Sequence, residues 1–216
     1  LACGLPATPD HVLEPVEDAD WVRVTQAQFV PIQITLRLWI VPSWHAAPEP
    51  SAINIELDPA VAFGTGSHPT TRLCLRWLER HVRAGDTVLD YGCGSGILAI
   101  VAARLGASRI VGVDIDPAAV AAARDNAARN RVAGEFLGAG QKLQLQADMV
   151  VANILTRPLI MLAPLLASLT RPAGRIALAG LLAPQADDVM AAYAPWYDFE
   201  HGTEEEGWTC LTGTRR

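Results

Sequence analysis

The sequence predicts an α/β fold built on a doubly wound, mostly parallel sheet that closes on an antiparallel strand. Three observations carry that expectation. From residue 70 onward, helical and strand patterns alternate, as they do when strands are joined by crossover helices. The apolar runs at 87–90, 109–114 and 148–153 show little period-2 alternation, the pattern of strands buried on both faces. The first of these runs opens directly into a glycine turn, TVLDYGCGSG at 87–96, at the end of the sheet where such folds take their ligands.

The elements follow in order. Residues 1–15 are proline-spotted and read as a linker tail. Residues 18–29 form a short helical pattern, with Trp21, Thr25 and Phe29 on one face and acids near its start. Ile32, Ile34, Leu36, Leu38 and Ile40 alternate with polar or outward residues, and Ile53, Ile55 and Leu57 repeat the pattern after a loop holding Pro42, Pro48 and Pro50. Together they predict a β-hairpin. The chain therefore divides into a linker tail (1–17), a linker helix and hairpin (18–57) and a main domain (58–216).

In the main domain a helix over 71–82 puts Cys74, Leu75, Leu78 and Val82 on one side. The strand at 87–90 leads through the glycine turn into a helix over 96–105, with Ile97, Ile100, Val101 and Leu105 inward. After the strand at 109–114, Asp116 and Pro117 supply an N-cap and a first-turn proline for a helix reaching Asn130. A short strand at 135–137 and a strongly apolar one at 148–153 come next, then a helix with Leu159, Leu162, Leu166 and Leu169 on one face. A strand at 174–179, a helix at 184–193 and an antiparallel pair, 197–201 with 207–212, close the fold.

Composition narrows the function. Half of the residues are hydrophobic and 19% are charged, which predicts a sizeable core and excludes a disordered chain. A net charge of -6 provides no basic footprint for nucleic acid, so no direct nucleic-acid contact is expected. The longest apolar stretch, 159–169, is interrupted by Pro164 and too short to span a bilayer, and residues 1–9 lack the features of a signal peptide. The chain begins with Leu1 rather than methionine, which suggests that an upstream segment has been removed. Cys3, Cys74, Cys93 and Cys210 form no CxxC pair and no metal-ligand spacing. They read as reduced thiols of a cytoplasmic protein, expected to be a monomer.

The glycine turn and its acids carry the chemistry. Gly92, Gly94 and Gly96 let the backbone turn sharply and approach a ligand closely. A dinucleotide fingerprint would need glycine or alanine at position 97, where Ile97 stands. What remains is DxGxGxG, which suits a ligand that lays an amino-acid moiety and a ribose over the loop without a pyrophosphate, namely S-adenosylmethionine. Asp114, at the tip of the following strand, can accept hydrogen bonds from both ribose hydroxyls. Asp90 is expected at the cofactor, with a capping or loop-stabilising role as the alternative. Asp116 reads as an N-cap rather than a ligand, and Cys93 as a small side chain packed in the turn. Trp44, Trp77 and Trp208 are candidate rings for a sulfonium, with core packing the simpler reading.

Two further motifs flank this turn. AFGTGSHPTT at 62–71 places Gly64, Gly66, hydroxyls and His68 immediately before a helix. VVANIL at 150–155 ends an apolar strand in Asn153, an amide that must find partners there. With these pieces the chain resembles the PrmA family, the methyltransferases of the eleventh large-subunit ribosomal protein. The resemblance runs through EDADW (17–21), LWIVPSW (38–44), LDPAVAFGTGSHPTT (57–71), DYGCGSGILAI (90–100), VDIDP (113–117), NIL (153–155) and EEEGWTCLTG (204–213). The glycine loop is shared by very many methyltransferases, whereas FGTGSHPTT and NIL are specific.

The resemblance implies a class I, Rossmann-like, S-adenosylmethionine-dependent methyltransferase that acts on lysine ε-amines or the α-amine of a large-subunit ribosomal protein. By position, it implies that Gly92 and its loop hold the methionine part of the cofactor and Asp114 the ribose. Thr71 would close over the cofactor from the other side, and residues 63–68, including Phe63, Gly64, Thr65 and Gly66, would form a lid. Asn153 would sit beside the transferable methyl and orient the acceptor amine, helped by a following backbone carbonyl. His68 is expected in the lid, with a general-base role as the alternative. Two departures stand out. The small α+β domain with which the family grips its ribosomal substrate is missing, so that Leu1 is expected in the linker after it. Residues 28–39 also depart from the expected histidine and basic residues, holding no histidine and, beyond Arg37, no basic residue. The rival readings are a related enzyme acting on another protein's lysines or a small amine, and a cofactor-binding module without catalysis.

Overall fold

The computed structural model of the chain describes residues 29–58, 66–141, 143–200 and 202–216. The linker tail and the helix expected over 18–29 lie outside these, apart from Phe29, whose carbonyl contacts the His45 ring at 3.0 Å. The first described elements form a small sheet of β1 (Ile32–Thr35), β2 (Leu38–Val41) and β3 (Ile53–Glu56). The run expected as one strand over 32–40 is a hairpin in itself, with Ile32 opposite Ile40 and Gln33 opposite Trp39. Alternation could not reveal this turn: Thr35 faces Leu38 across it, and a register shift between Gln33 and Thr35 restores pairing of like parity beyond. Ile34, Leu38 and Ile40 all stay buried, and only Leu36 at the tip, 84% exposed, breaks the pattern. β3 is not the second arm of the hairpin: it pairs parallel to β2, with Ile40 opposite Ile55, after a loop at 42–52 that returns the chain to the same end.

The rest of the chain runs α1 (Pro69–His81), β4 (Thr87–Tyr91), α2 (Ile97–Arg104), β5 (Arg109–Asp114), α3 (Pro117–Arg129), β6 (Glu135–Gly138) and β7 (Ala147–Asn153). It continues through α4 (Thr156–Leu169), β8 (Thr170–Leu182), a 3-10 turn (Ala183–Gln185), α5 (Ala186–Tyr193), β9 (Tyr197–Phe199), β10 (Thr203–Glu205) and β11 (Trp208–Arg215). The eight strands lie in the order β10-β11-β8-β7-β4-β5-β6, with β9 also paired to β11. β6, β5, β4, β7 and β8 are parallel, and β11 runs antiparallel to β8. Helices α1 to α3 pack on one face and α4 and α5 on the other, so the sheet is doubly wound as expected.

β8 begins earlier than the expected 174–179. Ala147 faces Thr170 while Met149 faces Arg175, so residues 171–174 bulge out of the ladder, and Ala173 takes a φ of 57°. The proline and glycine there do mark a local turn, but the strand resumes on its far side. At the other end, Glu206 and Gly207 take φ values of 53° and 80°. They form a tight two-residue turn between Glu205 and Trp208, a left-handed pair whose twist suits a hairpin.

The small sheet shares the core of the α1–α3 face through Ile34, Leu38, Ile40, Ile55 and Leu57. Each such side chain contributes roughly 1.5–3 kcal/mol when fully buried. Polar bonds fix its placement: the Asn130 side chain accepts from Glu56 N and donates to Glu56 O, both at 2.8 Å. Thr35 Oγ1 donates to Glu79 on α1 at 3.0 Å. Cys74, Cys93 and Cys210 are free and buried. No helix among the described residues is long and apolar enough to cross a membrane.

From β4 the chain moves outward to β5 and β6, then returns to the other side of β4 as β7. Strand order therefore reverses between β4 and β7, and the crevice beyond their carboxyl ends is where an open sheet of this kind binds its ligand.

Candidate active site

On the β4 side of this crevice the loop is shaped by its own backbone. Gly92 and Cys93 both donate to the Val113 carbonyl, at 2.7 and 2.9 Å, and Gly96 donates to the Cys93 carbonyl at 2.8 Å. Gly92, Gly94 and Gly96 have φ values of 81°, 51° and 78°, a region in which a side chain is strained. At Gly92 a Cβ would also stand 2.2 Å from Ile154 Cγ2, so the crevice floor has no room for one. Gly96 is the N-cap of α2, and Ile97, where a dinucleotide site would have glycine, is buried in the core.

Asp114 stands at the lip of the loop. Its Oδ2 accepts from Gly94 N at 2.8 Å and its Oδ1 from Asp116 N at 3.0 Å. A carboxylate has about four acceptor positions, so a fixed Asp114 keeps capacity for a diol. Asp116 caps α3, accepting from Ala118 N at 2.9 Å, in line with its N-cap reading.

Asp90 is wholly buried beneath the loop. Its Oδ2 accepts from Ala99 N at 3.1 Å, while its Oδ1 has no partner. Burial raises its pKa to about 7, against the lowering effect of the Ala99 bond, and the Asp114 carboxylate adds to the rise. The ionised form is therefore costly: the stability Asp90 contributes is fully present below about pH 4 and is lost as pH rises through about 7. Burial, then the two carboxylates, also push the Cys93 thiol far up, so it packs in the turn as an inert group.

Across the switch point, β7 ends at Asn153, half-buried, whose Nδ2 donates to Thr71 Oγ1 at 3.3 Å. Thr71 lies in the first turn of α1 and is 3% exposed. His68 caps that helix: its Nδ1 accepts from Thr70 N at 3.3 Å and lies 2.8 Å from Thr70 Oγ1. One nitrogen of its ring is thus committed to structure, and the ring meets Trp208 edge-on at 4.8 Å. Trp77, by contrast, lies in the core. Gly66, with a φ of 84°, presses on Ile40 and Ile97, where a Cβ would stand 3.0 and 3.4 Å from them. Phe63, Gly64 and Thr65 of the expected lid lie outside the described residues.

Sequence reasoning missed Gly180 and Gln185. Gly180 has a φ of 89°, and a Cβ there would stand 2.3 Å from the Ile154 carbonyl oxygen. Ile154 is thereby wedged between two glycines, by its side chain at Gly92 and by its backbone at Gly180, and this sets the position of its neighbour Asn153. The Ile154 carbonyl, next along from Asn153, thus faces β8. Gln185 Oε1 accepts from Thr156 Oγ1 at 2.8 Å and from Leu182 N at 2.9 Å, tying the start of α4 to the end of β8. Within the apolar run 176–182 a single glycine gave no signal of either contact.

Chemically, a glycine floor, a buried acceptor oxygen without a partner and a carboxylate at the lip fit a ligand with an amino-acid end and a ribose. Comparison with known proteins points the same way. A family profile described as ribosomal protein L11 methyltransferase (PrmA) matches residues 3–216. The ribosomal protein L11 methyltransferase of Thiobacillus denitrificans is 58% identical over 213 residues, covering 99% of this chain and 72% of that protein. Its counterpart from Cupriavidus metallidurans is 59% identical over 207 residues, covering 96% and 68%. Among solved structures, the ribosomal protein L11 methylase of Lactobacillus delbrueckii subsp. bulgaricus matches with a TM-score of 0.78 at 33% identity, over 87% of this chain and 100% of that one. A methyltransferase from Pyrococcus furiosus, at a TM-score of 0.60 and 17% identity over 74% of this chain and 87% of that one, shares the fold.

Proposed function

This chain belongs to the ribosomal protein L11 methyltransferase (PrmA) family, and we propose that it carries out S-adenosylmethionine-dependent N-methylation of ribosomal protein L11, on lysine ε-amines, the α-amine or both. The observation that carries this reading is the Asn153–Thr71 hydrogen bond. It sets an oriented amide at the tip of β7, across the switch point from the glycine loop after β4.

S-adenosylmethionine, when bound, supplies an electrophilic methyl group on a sulfonium. In this reading the backbone of 92–96 would hold its methionine end, Asp90 would offer its unpartnered oxygen to a cationic group, and Asp114 would receive the ribose hydroxyls. Gly66 packs the loop before α1 against Ile40 and Ile97, and His68 caps that helix. Thr71 takes one N–H of Asn153 and so fixes the amide plane, and the carbonyl oxygen is the acceptor the side chain offers to an incoming amine. Accepting one N–H there would orient the amine and its lone pair for transfer. A lysine amine has an ordinary pKa of about 10.4, and the half-buried setting of Asn153 disfavours its charged form. Most of the acceleration then comes from alignment. We assign this work to residues 58–216 and place the enzyme in the cytoplasm, as a monomer whose net charge of -6 argues against direct nucleic-acid contact.

The test is mass spectrometry of L11 after incubation with this protein and S-adenosylmethionine. Methyl additions on lysines or the α-amine are expected. Additions only on another amine would reassign the substrate, and none on any acceptor despite cofactor binding would leave a silent binding module.

A further inference from the structure

The side chains assigned so far leave out the densest charge cluster on the acceptor side. Arg72 directly follows Thr71, and Arg76 lies one turn further along the same face of α1. Both reach the β10–β11 turn. Arg72 Nε donates to Glu205 Oε1 at 2.8 Å and its second terminal nitrogen to Glu206 Oε1 at 2.7 Å. Its first terminal nitrogen donates to the Ser67 carbonyl, immediately before His68. Arg76 holds the other oxygen of Glu205 at 2.6 Å. The side chains of Arg72 and Glu205 are only 19% and 22% exposed, so solvent screens this pair less than an open surface pair. Burial raises the Glu205 pKa, but the two guanidiniums outweigh it and hold the carboxyl below its usual range.

Arg72 therefore gathers three segments: the loop before α1, α1 itself and the turn that opens β11. That turn delivers Trp208, whose ring meets His68. Trp208 stands opposite Leu182 near the carboxyl end of β8, just beyond Ala179, which faces Asn153. The two rings thus lie near the carboxyl end of β8, on the side of the crevice that holds Asn153. The glycine loop is held separately, by Val113 and Asp114. Only a guanidinium presents a planar fork of N–H donors able to serve several acceptors at once.

We propose that Arg72 is a positioning residue for methyl transfer: by bridging Ser67, Glu205 and Glu206 it holds the His68–Trp208 ring pair as the acceptor-side wall beside Asn153. The role in methyl transfer rests on the function proposed above; the bridge itself does not. Two variants test it. Arg72→Lys keeps the charge and loses the fork, and Glu205→Gln keeps the shape and loses the charge. Hydrogen–deuterium exchange is read over 66–72 and 203–208, alongside steady-state kinetics on L11 and calorimetric titration with S-adenosylhomocysteine. In both variants exchange should rise in the two segments together, kcat/KM for L11 should fall at least roughly tenfold, and S-adenosylhomocysteine affinity should stay within about twofold of the parent. Loosening confined to 203–208, unchanged kcat/KM with both segments loosened, or affinity that falls in step with activity would each overturn the proposal. Should Arg72→Lys not fold, Glu205→Gln carries the same test. If the parent protein does not methylate L11, the functional reading fails, while the exchange pattern still decides the bridge.

Discussion

The two halves of the crevice are built in opposite ways. The β4–β5 half comes from one continuous stretch, and mostly from backbone: the Val113 carbonyl takes two amides of the glycine loop, Asp114 takes a third, and three glycines sit at positive φ. The β7–β8 half is gathered from segments far apart in sequence and held by side chains. Asn153 meets Thr71, His68 meets Trp208, and Arg72 meets Glu205. A backbone-built cradle suits a ligand that never changes. A wall made of side chains can be adjusted to an acceptor without disturbing that cradle. Ile154 is where the halves touch, wedged between Gly92 and Gly180.

If the halves are separable in energy as well as in construction, substitutions in each should fail differently. The largest effect is expected at Asn153. Asn153→Ala should lower kcat by about 10²–10³-fold, the range for removing one oriented hydrogen-bonding group at a reacting centre. Binding of S-adenosylhomocysteine, read by calorimetry, should stay within about twofold of the parent because the loop and Asp114 are untouched. Affinity that falls as far as turnover would break the comparison.

The mirror-image result is expected at Asp114. Asp114→Asn keeps the shape but places a nitrogen where one oxygen accepts from Gly94 or Asp116. It also removes the charge behind hydrogen bonds worth about 1.5–3 kcal/mol each. S-adenosylhomocysteine should bind roughly 10- to 100-fold more weakly, while kcat at saturating cofactor changes little. Equal affinities for parent and variant would take the ribose away from Asp114.

The same contrast decided what could be read from the sequence. Asp90, the three glycines and Asp114 form a strand–turn–strand signal confined to one local stretch, so their arrangement was legible and the structure holds them together. Asn153 was legible as an amide needing a partner, but not that the partner is Thr71, which was expected to close over the cofactor from the other side. One sequence says nothing about which helix start meets which strand tip. The Arg72–Glu205 pair was invisible for that reason, since neither residue is unusual until β11 folds back beside α1. Gly180 was hidden differently: an apolar run with one glycine reads simply as a strand. The hairpin at 32–40 was hidden by parity, because the register shift between Gln33 and Thr35 offsets the two-residue turn and leaves the period-2 pattern intact.

The smallest effect, and the finest test of the cradle, belongs to Asp90, the one wholly buried carboxyl among the described residues. With its pKa raised by burial to about 7, much of it is neutral in the free protein at neutral pH. If S-adenosylmethionine brings a cation near its unpartnered oxygen, as proposed, that charge would draw the carboxyl into the ionised form. Below about pH 7 binding must therefore release a proton, so affinity for S-adenosylmethionine should fall severalfold between about pH 8 and pH 6. S-adenosylhomocysteine keeps the ammonium but lacks the sulfonium, and should show a shallower slope. The nearby free thiols of Cys74, hydrogen-bonded to Cys210, and of the buried Cys93 both have raised pKa values, so they stay protonated across this window. Calorimetry in two buffers of different ionisation enthalpy reads the proton directly, and Asp90→Asn should flatten both curves. The same substitution should gain in Tm on the parent as pH rises from about 4 to about 7, because that is the window in which the parent loses the stability of its neutral carboxyl. Parallel slopes for the two ligands would mean that Asp90 senses the ammonium alone. Flat slopes for both would reduce Asp90 to a strut for Ala99 and leave the cradle to backbone and Asp114.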